Sequence, residues 1–148
     1  MIRVHAEPFD AGGELAAFAA RVEGAGAIAS FLGLVRGESG GADVSVLELE
    51  HYPPLTERTV AAIGEDARDR FALIGFAIVH RTGALAPGEP IVFVAAAAAH
   101  RRAAFEAVDY MMDRLKTEAP FWKREHGANG SRWIEARDED LRDRARWA

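Results

Sequence analysis

The chain of 148 residues carries a formal net charge of −5, no cysteine, 49% hydrophobic and 28% charged residues. These values suit one ordinary globular domain, exclude wholesale disorder, and argue against a nucleic-acid track, which needs a basic excess. The missing cysteines exclude disulfides, thiolate nucleophiles and sulfur-ligated metals.

The N-terminus, Met1-Ile2-Arg3-Val4-His5, lacks the basic and apolar regions of a signal peptide. No apolar run approaches the ~20 residues that span a bilayer. The expected location is therefore cytoplasmic, with no membrane partner. Residues 1–148 read as a single domain, of which 138–148 form a charged tail.

Ile2 to Ala6 is a short strand. Asp10 to Val22 predicts a helix, with Leu15, Phe18, Ala19 and Val22 on one face and Asp10 as its N-cap. Gly24 and Gly26 end it. Ala27 to Val35 is strand-like and leads into a polar, mobile-looking loop, Arg36 to Gly41. Val44 to Tyr52 alternates as a strand, and Pro53-Pro54 breaks it. Thr56 to Phe71 is a second amphipathic helix, followed by a strand from Leu73 to His80. After a turn-rich segment over 83–90, Ile91 to Ala98 reads as a strand buried on both faces. The third helix runs from near His100 to about Thr117, with Pro120 as its stop. Phe121 to His126 and Arg132 to Ala136 flank a Gly-Ala-Asn-Gly turn as a terminal hairpin. The tail is either a short helix or frayed. Three main helices interspersed among strands predict an α+β fold with a mostly antiparallel or mixed sheet.

The chemistry concentrates between His100 and Lys123. His100-Arg101-Arg102 opens a helix, where backbone N–H groups already favour an anion. Basic residues in a first turn oppose the helix dipole, so two consecutive arginines there point to an incoming negative group. Lys116 sits in the last turn of that helix, and Lys123 lies between Phe121-Trp122 and Arg124. Taken singly, the first reads as a dipole-complementing cation and the second as a snorkelling surface lysine. A lysine among aromatics is also a candidate for a desolvated, neutral amine. Arg36 ends an apolar strand beside a glycine-rich loop. His51 and His80 also end strands, and His51 with Tyr52 suits packing or partner contact. No carboxylate or histidine cluster has ligand spacing, so no metal is expected. Glycine-rich nucleotide motifs and a G-x-S-x-G elbow are absent as well.

Several stretches form one pattern: Phe31-Leu32-Gly33-Leu34-Val35-Arg36, Leu49-Glu50-His51-Tyr52-Pro53, Val79-His80-Arg81-Thr82-Gly83 and Ala99-His100-Arg101. The most specific is Lys116-Thr117-Glu118-Ala119-Pro120-Phe121-Trp122-Lys123-Arg124-Glu125, and Arg132-Trp133-Ile134-Glu135-Ala136-Arg137 closes the series. From about Gly26 to Arg137 the chain resembles the large, catalytic subunits of molybdopterin synthases. The resemblance implies an α/β-hammerhead type of fold and a homodimer within a heterotetramer. It implies a small ubiquitin-like partner whose Gly-Gly C-terminus carries a thiocarboxylate. The substrate would be cyclic pyranopterin monophosphate, converted to the dithiolene of molybdopterin. No cofactor is implied, because the partner supplies the sulfur. The family's substrate-binding positions fall on Leu34, Val35, Arg36, His100, Arg101, Lys116, Lys123, Arg124, Glu125 and Arg137, with Lys116 and Lys123 as the catalytic pair. Leu34 departs from the polar or basic residue often found there, and the loop from Gly37 to Gly41 is a second departure.

Helix geometry adds an expectation of its own. His100 and Lys116 lie sixteen residues apart on one helix, roughly 24 Å at 1.5 Å per residue. A small substrate cannot bridge that within one protomer. His100 and Arg101 are therefore expected to come from the second subunit of the dimer.

Overall fold

A computed structural model describes residues 1–148. β1 (Ile2–His5) and α1 (Ala11–Arg21) lead into β2 (Ala27–Leu34). Two short strands follow, β3 (Glu38–Ser39) and β4 (Ala42–Asp43), then β5 (Val46–His51) and α2 (Leu55–Phe71). Next come β6 (Gly75–Arg81), β7 (Gly83–Leu85), β8 (Pro90–Ala98) and α3 (Arg101–Glu118). The chain closes with β9 (Phe121–Gly127), β10 (Gly130–Ile134) and α4 (Asp138–Ala145).

Two four-stranded sheets carry the fold, in the orders β1-β6-β8-β2 and β10-β9-β5-β7. Only β1 and β6 run parallel; the other pairs are antiparallel. The architecture is thus α+β with a mixed and an antiparallel sheet, as expected. The first sheet is covered on both faces. Along β6 and β8, alternate side chains point to opposite sides. Phe76, Ile78, Val92, Val94, Ala96 and Ala98 pack under α2 and α3 with Val60, Ile63, Ala107 and Met111. Ala77, Val79, Phe93, Ala95 and Ala97 meet Phe18 of α1. The alanine run of β8 lets helices approach both faces closely. Gly64 of α2 serves the same purpose, since a Cβ there would stand 2.1 Å from the Phe76 ring.

The second sheet has a smaller core of Val35, Leu47, Leu49 and Leu85, with Ile91 packed against this cluster and the larger one. Thr56 joins the elements around the junction: its buried hydroxyl accepts from the Tyr52 N–H at 2.8 Å and donates to the Pro120 carbonyl at 3.0 Å. That pair of bonds ties the end of β5 to the start of β9.

Two features differ from the sequence reading, and one open alternative is resolved. The expected open loop at Arg36–Gly41 instead enters the β3–β4 hairpin, turned by Gly40 and Gly41 at φ 58° and 82°, both in the left-handed region that glycine tolerates. Arg132 clamps it by donating to the Ser39 carbonyl at 3.1 Å. β7 emerges from the turn-rich segment by pairing with β5. Of the two alternatives for the charged tail, a short helix or a frayed end, the structure shows the helix α4. Trp147 holds it edge-on against Phe71 and Tyr110, and its Nε1 donates to Asp113 Oδ2 at 2.6 Å. No helix of the chain is long and apolar enough to cross a membrane.

Candidate active site

The two sheets meet where β2 and β6 end and β8 begins, beside β5 and β9. The gap is a cavity of about 550 Å³, within the range of small-molecule sites. The C-terminal turns of α3 and the start of α4 complete its wall. Sequence-distant cations converge here: Arg36 from the end of β2, Lys116 from α3, Lys123 from β9 and Arg137 from the N-cap of α4 all line it.

Each is placed by local structure. The end of β2 is pinned by the Val35 N–H, which donates to the Glu89 carbonyl at 2.9 Å, and by the Val35 carbonyl, which accepts from the Gly88 N–H at 2.8 Å. Leu34 and Val35 therefore reach the cavity wall with Arg36 exposed beside them. Arg137 is held by Asp140, whose Oδ2 accepts from the Arg137 N–H at 3.2 Å and lies 3.6 Å from its guanidinium. Downstream, Arg146 meets Asp113 at 2.6 Å and Arg144 meets Glu118 at 3.0 Å, so α4 is fastened along α3.

Strand alternation decides which members of Lys123-Arg124-Glu125 can act here. Lys123 and Glu125 face inward, paired across the sheet with Leu49 and Leu47. Glu125 is 3.1 Å from Arg132, which compensates its charge. Arg124 points to the other face, where its guanidinium lies 5.0 Å from the Trp133 ring centroid. Arg124, one of the substrate-binding positions the resemblance implies, therefore does not line this cavity within the protomer.

Lys123 is the most perturbed cation of the cavity. Burial, reinforced by the nearby Lys116 charge, pushes its amine down from 10.5 to about 8. Close to neutral pH an appreciable fraction is therefore a free amine, able to accept a proton or act as a nucleophile. Lys116 is exposed at the same cavity, free to meet an incoming group. The arrangement offers fixed positive charge for an anion and one amine poised for proton transfer.

His100 and Arg101 do not belong to this cavity. They lie at the far end of α3 in a separate open recess with Arg102, Phe105 and Glu106. His100 is the N-cap residue but makes no capping bond with its side chain. The length of α3 keeps the two basic groups apart within one protomer. No group of three or more His, Cys, Asp or Glu side chains comes together as it would around a metal ion.

A family model described as MoaE protein matches residues 4–118. The chain belongs to the MoaE family. It is 55% identical over 141 residues to the molybdopterin synthase catalytic subunit of Caulobacter vibrioides, covering 95% of this chain and 93% of that one. Among solved structures it resembles the MoaE protein of Burkholderia ambifaria, with a TM-score of 0.85 and 46% identity over 99% of this chain and 97% of that one. The molybdopterin synthase of Staphylococcus aureus gives a TM-score of 0.80 at 32% identity, covering 88% and 94% of the two chains.

Three ionisable residues of the cavity wall, His80, Glu135 and Asp140, stand outside the site set expected from the sequence. His80 is the penultimate residue of the fully buried strand β6 and stands in the cavity wall, Glu135 follows β10, and Asp140 comes from the tail. His80 carried two signals, an imidazole near the end of an apolar run and its place in the Val79-His80-Arg81-Thr82-Gly83 stretch. Asp140 had none, because the placement of α4 depends on Trp147.

Proposed function

We propose that this chain is the catalytic subunit of a molybdopterin synthase, moving sulfur from a thiocarboxylate onto cyclic pyranopterin monophosphate. The observation that carries the reading is the convergence of Lys116, Lys123, Arg36 and Arg137 on one cavity in a chain without cysteine. Such a site can hold an anionic substrate and stabilise developing negative charge, but the sulfur must arrive on another molecule. The name of its relatives, a catalytic subunit, implies at least one further subunit. The partner is a small ubiquitin-like protein, and its Gly-Gly C-terminus threads into the cavity. Glycines suit that task because they have no side chain to clash with a narrow channel.

In this mechanism Arg36 and Arg137 hold the phosphate-bearing end of the substrate. The thiocarboxylate sulfur attacks an electrophilic carbon of the pterin side chain, forming a C–S bond as a C–O bond at that carbon breaks and the oxygen leaves protonated. Lys116 steers the thiocarboxylate and stabilises the oxyanion formed when water releases the partner as a carboxylate. Lys123, with its depressed pKa, exchanges the proton at the reacting carbon or oxygen. His100 and Arg101 come to a neighbouring cavity from the second subunit of a homodimer, which reconciles their chemistry with their distance from Lys116. The complete assembly is a heterotetramer in the cytoplasm.

The test is incubation with cyclic pyranopterin monophosphate and thiocarboxylated small subunit, scored as dithiolene formation. Wild-type chain turns over, and Lys116→Ala does not. Full sulfur transfer by Lys116→Ala would overturn the assignment.

A further inference from the structure

His80 is a buried, titratable side chain in the cavity wall that the mechanism above leaves unused. Its ring lies flat on Phe121, with centroids 3.8 Å apart and planes at 14°. Nδ1 is 2.8 Å from the Arg81 carbonyl oxygen. A carbonyl can only accept, so Nδ1 carries the proton. Burial, with the Lys123 and Lys116 charges behind it, lowers the imidazole pKa to about 3, and the ring stays neutral. Nε2 is then a bare lone pair. It has no partner within the protein, and it is not among the buried polar atoms sealed from the surroundings. An acceptor held in a fixed tautomer at a cavity wall is a site for a donor.

The identity of the donor follows from the cavity's chemistry. A phosphate or carboxylate oxygen has no proton to give at neutral pH, so the anionic end of a ligand goes to the arginines and lysines instead. What suits Nε2 is the N–H of a heterocycle. We propose that His80 is a substrate-orienting residue whose Nε2 accepts a hydrogen bond from a ring or amino N–H of the bound heterocycle. This rests on the function proposed above and deepens it. The cations fix the anionic end, and His80 fixes which edge of the ring faces the wall. A neutral acceptor is needed for this, because an imidazolium would repel the donor and add a third cation beside Lys116 and Lys123.

The experiment uses the chain with its thiocarboxylated partner and compares His80→Phe, His80→Leu and His80→Asn. Phe keeps the stack on Phe121 and Leu keeps an apolar wall, and both remove the acceptor. Asn restores an acceptor oxygen. Both acceptor-free variants should raise KM for cyclic pyranopterin monophosphate about tenfold, as for one lost buried hydrogen bond, with kcat changed less than about twofold. His80→Asn should recover most of that loss. Inhibition by inorganic phosphate should be equal in all variants, because the anion site is elsewhere. An unchanged KM in whichever acceptor-free variants fold would overturn the proposal, as would failure of Asn to rescue. A shift in the Lys123 titration midpoint of the free His80→Phe protein would also overturn it, showing that Nε2 serves Lys123 instead. No turnover by wild-type chain would count against the proposed function, whereas normal wild-type turnover with unaltered variants would count against His80 alone.

Discussion

Replacing Lys123 by Met should stabilise this protein while abolishing its activity. The amine titrates at about 8 instead of 10.5 because folding strips its water and sets it near Lys116. That gap corresponds to about 3 kcal/mol, since each pH unit is worth about 1.4 kcal/mol. The sign follows from proton counts. Below pH 8 both folded and unfolded chains hold the proton, and the folded state bears the full cost of a desolvated ammonium. Between pH 8 and 10.5 the unfolded chain binds more protons, so stability rises with pH and the cost disappears. Met has the same unbranched shape and no charge to desolvate. At pH 7, Lys123→Met should therefore gain up to about 3 kcal/mol, or on the order of 5–10 °C in Tm for a chain of this size. The advantage should shrink as the pH approaches 10.5. Urea denaturation of both proteins at pH 7 and pH 10 reads it, and other titrating groups cancel in the difference. If Lys123→Met is less stable at pH 7, or its advantage is the same at both pH values, the amine is not desolvated and its role in proton transfer loses its physical basis.

His80 should make the fold acid-sensitive: its depressed pKa means that stability falls by about 1.4 kcal/mol per pH unit from about 6.5 down towards 3, a slope that His80→Phe should remove in denaturation curves across that window. Trp147→Ala should cost about 2–4 kcal/mol, as for loss of a large packed aromatic, and should speed amide exchange in α4 ahead of the rest of the chain. Mixing inactive Arg101→Ala and Lys116→Ala proteins under conditions of subunit exchange should restore about a quarter of wild-type activity, because a shared site leaves one intact copy in each mixed dimer. Absence of complementation, with exchange verified, would show that Arg101 does not complete the Lys116 site of the neighbouring protomer.

Much of the fold was legible because hydrophobic periodicity reports local structure directly. The three long helices, the Asp10 cap and the buried alanine strand follow from spacing alone, and α1 begins at Ala11 behind that cap. The strands that periodicity missed are those made by partners. β7 is three residues long and exists because β5 offers an edge, while β3 and β4 need only the Gly40-Gly41 turn and the Arg132 clamp. The site was legible as residue types and incomplete as geometry. Spacing along α3 was enough to separate His100 and Arg101 from Lys116, since a helix is a ruler. The motif around Lys123 marked three consecutive residues, but only register against β5 and β10 turns Lys123 and Glu125 inward and Arg124 out to Trp133.

By itself, then, the sequence determined the absence of any sulfur donor within the chain, the concentration of cations near α3 and the family to which those motifs belong. Tertiary structure alone decided that Arg36, Lys116, Lys123 and Arg137 meet, that Lys123 is desolvated, and that His80 stands neutral beside them. The reason is physical. Charge and chemical type are properties of a residue, but desolvation and convergence are properties of what other chain segments bring to it.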